Sequence, residues 1–201
     1  GWRKVFQNKD LAFYWVQLAN FRNENPNPAG GDGWAKIREA QTQALDIPGT
    51  GMAVITDIGA ANDIHPRNKQ DVGWRLAQWA LHQTYGKKDV VPAGPLFKSH
   101  TVEGNAIRLS FDYVGKGLMV GKKNGLDPTA EVKDGKLAHF AISGEDKKWF
   151  WAEATIDGDN VVVKSKDVAK PVAVRYGFTM NPAKANLYNK EGIPASPFRT
   201  D

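Results

Sequence analysis

Between residues 10 and 90 the apolar positions fall into two alternating rhythms. Ala12-Phe13-Tyr14-Trp15-Val16-Gln17-Leu18 is a short, nearly unbroken apolar and aromatic run, the pattern of a strand covered on both faces. Asn, Pro and Gly crowd residues 23–33, and Asp32 stands where a helix cap is expected. Trp34, Ile37, Gln41, Ala44 and Leu45 then recur at near-helical spacing until Pro48-Gly49-Thr50-Gly51 breaks the pattern. Met52–Ile58 predicts a second buried strand. Asn68 predicts the cap of another helix with the face Val72, Leu76, Trp79 and Ala80, and Gly86 suits its C-terminal end. Strand, helix, strand, helix in this order predicts a parallel sheet with crossover helices. Two strands are too few for an open doubly wound sheet, which usually carries about five. Residues 1–92 therefore read as part of a larger α/β domain.

From residue 93 the rhythm becomes strict alternation. Ile107, Leu109, Phe111 and Tyr113 alternate with polar residues, as do Phe150, Ala152, Ala154 and Ile156, with Trp149, Trp151 and Glu153 on the opposite face. Asp157-Gly158-Asp159-Asn160 is a turn from which Val161-Val162-Val163 returns, a hairpin signature. Ala173–Phe178 is a further strand. Residues 93–201 read as an antiparallel β-sandwich, joined to the first part near Val91-Pro92-Ala93-Gly94-Pro95. The short connection predicts that the two parts pack together through an apolar interface. The tail, rich in Leu, Tyr, Ile and Phe, predicts an extended segment anchored on a surface.

Composition narrows the function classes. With 201 residues, 41% hydrophobic and 24% charged, the chain lies in the globular range. The net charge is +5, but the basic clusters (Lys87-Lys88, Lys122-Lys123, Lys147-Lys148) are dipeptides only, which argues against nucleic acid as a partner. No apolar run approaches the roughly 20 residues of a membrane-spanning helix, and the Gly-Trp-Arg-Lys start has no apolar stretch of a leader behind it. Without cysteine there is no disulfide framework, thiol nucleophile or thiolate zinc site.

The stretch Thr56-Asp57-Ile58-Gly59-Ala60-Ala61-Asn62-Asp63-Ile64-His65-Pro66 carries the most chemical information. It leads from the carboxyl end of a buried strand toward a helix, the edge of an α/β sheet where ligands bind. A histidine with aspartates two and eight residues before it suits a general base oriented by a carboxylate. The plainer reading makes Asp63 a turn cap and His65 a surface loop residue. Trp149 and Trp151 suit either stacking on sugar rings or burial against the first part. Arg175 and the Arg199-Thr200-Asp201 end suit either a cleft lining or structural ion pairs. Asp157, Asp159 and Asn160 sit in too short a loop for a calcium site, and His82, His100 and His139 lack metal-ligand spacing.

Val16–Phe21, Arg38-Glu39-Ala40-Gln41, Thr50–Val54, Asp63–Lys69, Gly94-Pro95-Leu96, Val174-Arg175-Tyr176 and the tail Asn186–Asp201 occur in order as in the sialate O-acetylesterases. The resemblance covers nearly the whole chain. It implies a branch of the SGNH hydrolases, whose flavodoxin-like α/β core uses Ser, His and Asp to hydrolyse O-acetyl esters on sugars without cofactor or metal. By this resemblance His65 is the general base and Asp63 its orienting carboxylate. Many SGNH enzymes place that aspartate three residues before the histidine. Here that position is Asn62, so Asp57 stays open as a substitute. The Gly-Gln-Ser-Asn-type nucleophile block and the Gly-Glu-Ser-Asn-type oxyanion block are not in this sequence, and Ser99, Ser110, Ser143, Ser165 and Ser196 lie in no nucleophile elbow. The chain thus resembles the C-terminal portion of an esterase, inactive alone. Its expected partners are an O-acetylated sugar and the N-terminal portion of the same enzyme, or a second copy in a homo-oligomer, in an extracytoplasmic setting. The competing readings are a carbohydrate-binding β-sandwich beside a structural α/β remnant, and a basic interaction module.

Overall fold

The computed structural model describes all 201 residues, Gly1–Asp201. A short helix α1 (Trp2–Val5) precedes strand β1 (Phe13–Val16), helix α2 (Gly33–Gln43), strand β2 (Thr50–Ala53) and helix α3 (Lys69–Trp79), which runs on into a wider turn, Ala80–Thr84. β1 and β2 pair in parallel, Phe13 with Thr50 through Val16 with Ala53. Both predicted caps form: the Asp32 carboxylate accepts the Ala35 N–H at 2.9 Å, and the Asn68 side chain accepts that of Asp71 at 3.0 Å. Each satisfies one of the donors a helix start leaves unpaired.

The faces of α2 and β1 depart from expectation. α2 turns Ala35 and Arg38 inward, whereas Ile37 remains 49% exposed, so the buried stripe lies beside the apolar one. β1 is covered incompletely, with Phe13 also exposed. Trp2, Phe13, Trp15, Ile37, Ala44 and Ile47 together line an open apolar hollow of about 840 Å³. The apolar periodicity of α2 is real: Trp34 packs on Phe21, but Ile37 and Ala44 face the open hollow.

The remaining strands are β3 (Leu96–Glu103), β4 (Ala106–Asp112), β5 (Leu118–Lys122), β6 (Ala130–Glu131), β7 (Phe140–Ser143), β8 (Trp149–Trp151), β9 (Glu153–Asp157), β10 (Asn160–Lys164), β11 (Ala173–Tyr176), β12 (Leu187–Asn189) and β13 (Phe198–Arg199). They form antiparallel sheets in the orders β3-β4-β10-β9, β13-β11-β7-β8 and β12-β5-β6. The first two contribute inward residues, Ile107, Leu109, Val161 and Val163 against Phe140, Ile142, Val174 and Tyr176, to a single apolar cluster. This is the alternation expected of a sandwich, each strand giving every second side chain to the core. The predicted hairpin is present, with Asp157 opposite Asn160 and Gly158 at φ +59°. The tail is more than surface trim, for β12 and β13 are strands of these sheets and Leu187 and Phe198 belong to the core.

The two parts are joined by buried hydrogen bonds as well as by apolar contact such as Trp79 against Tyr113, 5.6 Å between ring centres. The Arg38 guanidinium donates to the carbonyls of Leu18 (2.7 Å), Ala19 (2.7 Å), Thr179 (2.6 Å) and Met180 (2.9 Å). Gln17 donates to the Ser196 hydroxyl at 2.9 Å, and Asn20 to Asn181 at 3.0 Å. Loop backbones meet at this junction, and their carbonyls need donors once water is excluded. Alternation and periodicity do not report such a need.

Candidate active site

Beyond β2 the chain stays buried through Val54, Ile55 and Thr56 and then turns. Gly59 fits this turn because a Cβ there would come within 2.1 Å of Asn20 Oδ1. The Arg22 N–H donates to the Ala61 carbonyl at 2.7 Å, tying this loop to the one after β1. Both loops therefore sit at the carboxyl ends of the two parallel strands, the side where α/β sheets bind ligands.

Asp63 and His65 form a compact unit on that loop. Asp63 Oδ1 accepts the His65 backbone N–H at 2.9 Å and lies 3.3 Å from the ring's Nδ1. The backbone N–H of His65 holds the Asp63 carboxyl below the usual carboxylate range, with the ring helping. The His65 side chain is 83% exposed. A hollow of about 460 Å³ at the same pair of loops is lined by Phe21, Arg22, Asn23, Ala61 and Asn62. A carboxylate at Nδ1 orients an imidazole and leaves Nε2 to exchange protons with a reactant.

Asp57 is placed elsewhere. Its oxygens accept from the two terminal guanidinium nitrogens of Arg75, at 2.6 and 2.7 Å, and from the Tyr188 hydroxyl at 3.1 Å. Asp57 and Arg75 are both almost fully buried. Burial works against the Arg75 charge, but the Asp57 carboxylate more than offsets it and raises the guanidinium pKa. Burial, reinforced by Asp57, pushes the Tyr188 phenol up. The carboxylate eight residues before His65 thus joins α3, the loop and the tail, and it is not the one beside the imidazole.

The other candidates separate in the same way. Arg175 pairs with Asp201 through two nitrogens, at 3.0 and 2.6 Å, and lies 4.1 Å over the Trp149 ring. Arg199 pairs with Glu39 on α2 at 2.7 Å. These arginines hold the tail and the sheets together. Trp151, by contrast, stays 46% exposed. Ser99 and Ser110 bond to each other at 2.7 Å, and Ser196 bonds to Gln17 and Thr42. None of the chain's serines hydrogen-bonds to His65. Arg38 is the residue whose weight periodicity misses: it was visible only as part of a motif, not as a buried cation. Burial lowers its pKa to about 10, with Asp32 opposing.

No family model matches the chain. The human sialate O-acetylesterase is 26% identical over 218 residues, covering 98% of this chain and 40% of that protein. The mouse sialate O-acetylesterase is 25% identical over 223 residues, covering 98% and 38%. Among solved structures, a carbohydrate acetylesterase from Xanthomonas citri superposes on all of this chain with a TM-score of 0.87 and 45% identity, over 43% of its own length. The chain therefore spans about two fifths of the length of the proteins it matches. By sequence and by structure, and over almost its whole length, the chain is similar to sialate O-acetylesterases and to a carbohydrate acetylesterase.

Proposed function

We propose that this chain is the base-bearing C-terminal portion of a carbohydrate esterase that removes O-acetyl groups from sialic acid or a related sugar. The observation that carries the reading is the Asp63–His65 unit, an oriented and accessible imidazole at the carboxyl edge of a parallel strand pair. In this reading a serine on a preceding segment attacks the acetyl carbonyl while His65 Nε2 takes its proton. The tetrahedral oxyanion is held by donors on that same segment. Collapse expels the sugar oxygen, which leaves as a hydroxyl with the proton returned by His65. Water, deprotonated by His65, then attacks the acetyl-serine, releasing acetate and restoring the serine.

The open apolar hollow supports the idea of a missing layer. It lies against α2 and β1, and the Trp15 indole N–H, buried on its wall, finds no acceptor in this chain. Buried polar groups normally have partners, and apolar faces of this extent normally have cover. Residues 1–92 then form part of a flavodoxin-like α/β domain completed by preceding strands, in an extracytoplasmic enzyme.

The test is an acetyl-ester assay on this chain alone, on the chain mixed with a separately expressed preceding segment, and on the complete enzyme. The chain alone should be inactive, and activity should appear on mixing. His65→Ala should cut turnover at least about a thousandfold without shifting the melting temperature, because the ring is largely in water. Turnover by the chain alone would overturn the reading. Equal loss of stability and activity in His65→Ala would favour a structural histidine.

A further inference from the structure

We propose that the hollow beside Trp151 is a second sugar subsite, holding a pyranose ring of the chain that bears the acetyl ester. The inference rests on the esterase reading and adds a substrate class: an acetylated oligosaccharide or polysaccharide, not a free monosaccharide.

Trp149 and Trp151 project from the same face of β8, and Trp151 is the more exposed of the two. The Arg175 guanidinium covers Trp149, whereas Trp151 is open to a hollow of about 500 Å³. The open indole is nevertheless fixed. Its Nε1 donates to the Pro26 carbonyl at 3.2 Å, and the His139 ring meets it edge-on at 5.7 Å. His139 itself sits at φ +62°, a left-handed conformation uncommon outside glycine and often found where a site constrains the backbone. A platform held from two sides is preorganised to take a ligand face.

The groups around the platform match a sugar. Glu24, Asn25, His139 and Lys184 contribute a carboxylate, an amide, an imidazole and an ammonium to the wall. A pyranose presents an apolar C–H face, which suits the electron-rich indole plane, and a rim of hydroxyls that both donate and accept. Glu24 and Lys184 pair with each other at 2.8 Å, so the rim is close to neutral overall and does not favour a polyanion such as nucleic acid. The volume falls in the ordinary range for small-ligand sites.

Position links this hollow to the loop that carries Asp63 and His65. Phe21, Arg22 and Asn23 line the hollow that also contains Asn62, and Glu24, Asn25 and Pro26 line that of Trp151. One continuous segment, 21–26, is thus the shared wall of both. A sugar chain with its ester at the His65 loop has a path along this segment to Trp151.

The experiment uses this chain and two probes without any ester: xylohexaose, a neutral pyranose chain, and 3′-sialyllactose, an acidic one. Binding is measured by calorimetry and mapped by NMR at the Trp151 indole N–H. We expect saturable binding of at least one probe, with shifts centred on Trp151 and His139. Trp151→Ala should weaken it by about tenfold or more, while Trp151→Phe retains most of the affinity. Preference for one probe identifies the sugar chain as neutral or acidic. Shifts centred away from Trp151, no binding of either probe at millimolar concentration, or equal affinity in Trp151→Ala would overturn the subsite. The shift map on the unmodified chain decides the matter even if Trp151→Ala does not fold. Because neither probe carries an ester, failure here leaves the role of His65 untouched, and a failed His65 assay leaves this result standing.

Discussion

Arg38→Met removes the clamp between the two parts while keeping most of the side chain's volume. The native guanidinium donates four hydrogen bonds of 2.6–2.9 Å to carbonyls on two segments, 18–19 and 179–180. Bonds to a charged donor contribute about 1.5–3 kcal/mol each, though not additively. Against them stands the cost of burying the cation. The fall in its pKa from 12.5 to about 10 corresponds to about 3 kcal/mol. Buried ion pairs are often replaceable by apolar residues because both partners can be removed. Here the acceptors are backbone carbonyls and stay behind: Ala19 keeps the Trp34 indole N–H and Met180 the Phe21 N–H, but Leu18 and Thr179 are left without donors. A net loss of about 3–5 kcal/mol is expected, or a fall in melting temperature of roughly 6–20 °C for a domain of this size. Arg38→Lys should recover only part of it, since one ammonium cannot span four carbonyls on two segments. Urea unfolding followed by circular dichroism and tryptophan fluorescence measures the loss, and Glu39→Gln serves as the control. That variant breaks a partly exposed pair with Arg199 and should cost about 0–1 kcal/mol. Arg38→Met unfolding within about 1 kcal/mol of the unmodified chain would refute the clamp.

Asp57→Asn should destabilise the chain by about 3–5 kcal/mol, because it leaves the Arg75 cation buried without its counter-charge. If instead stability is kept and the complete enzyme loses turnover, Asp57 and not Asp63 would be the carboxylate that serves His65. A pH dependence is also expected from His139. Burial lowers its pKa, Glu24 pulls it up and Lys184 pushes it down. The unfolded chain then takes up this proton near pH 6.5 and the folded chain only below that. Stability should fall as pH drops from about 6.5 through the lower folded-state value. His139→Gln should flatten that part of the curve in denaturation series at pH 7, 6 and 5, and an unchanged curve would rule out this contribution.

Local features were readable from the order of residues. Asp32 and Asn68 bond to backbone N–H groups three positions on, so the capping signal and its partner sit in one short window. The 107–111 and 161–163 alternations found their faces because a strand's period of two is a local property. The Asp63–His65 unit closes within two residues. The inward face of α2 was not readable. Its apolar stripe, Trp34, Ile37 and Ala44, was correctly located, but Ile37 and Ala44 line the open hollow while Arg38 turns inward.

The sequence by itself therefore determined the strand and helix types, the caps, the hairpin, the position of the Asp-x-His unit and its likeness to acetylesterases. Each depends on neighbours a few residues apart or on an ordered set of short motifs. Only the tertiary structure decided which aspartate faces His65, because the partners that claim Asp57 are Arg75 and Tyr188, 18 and 131 residues away. Only it distinguished Trp149 from the more exposed Trp151, since Arg175 from another strand lies over the former. It likewise made Arg38 a clamp, through carbonyls 141 and 142 positions along the chain. Hydrophobic periodicity reports which face prefers to leave water. Which buried polar groups find one another is set by where distant backbones end.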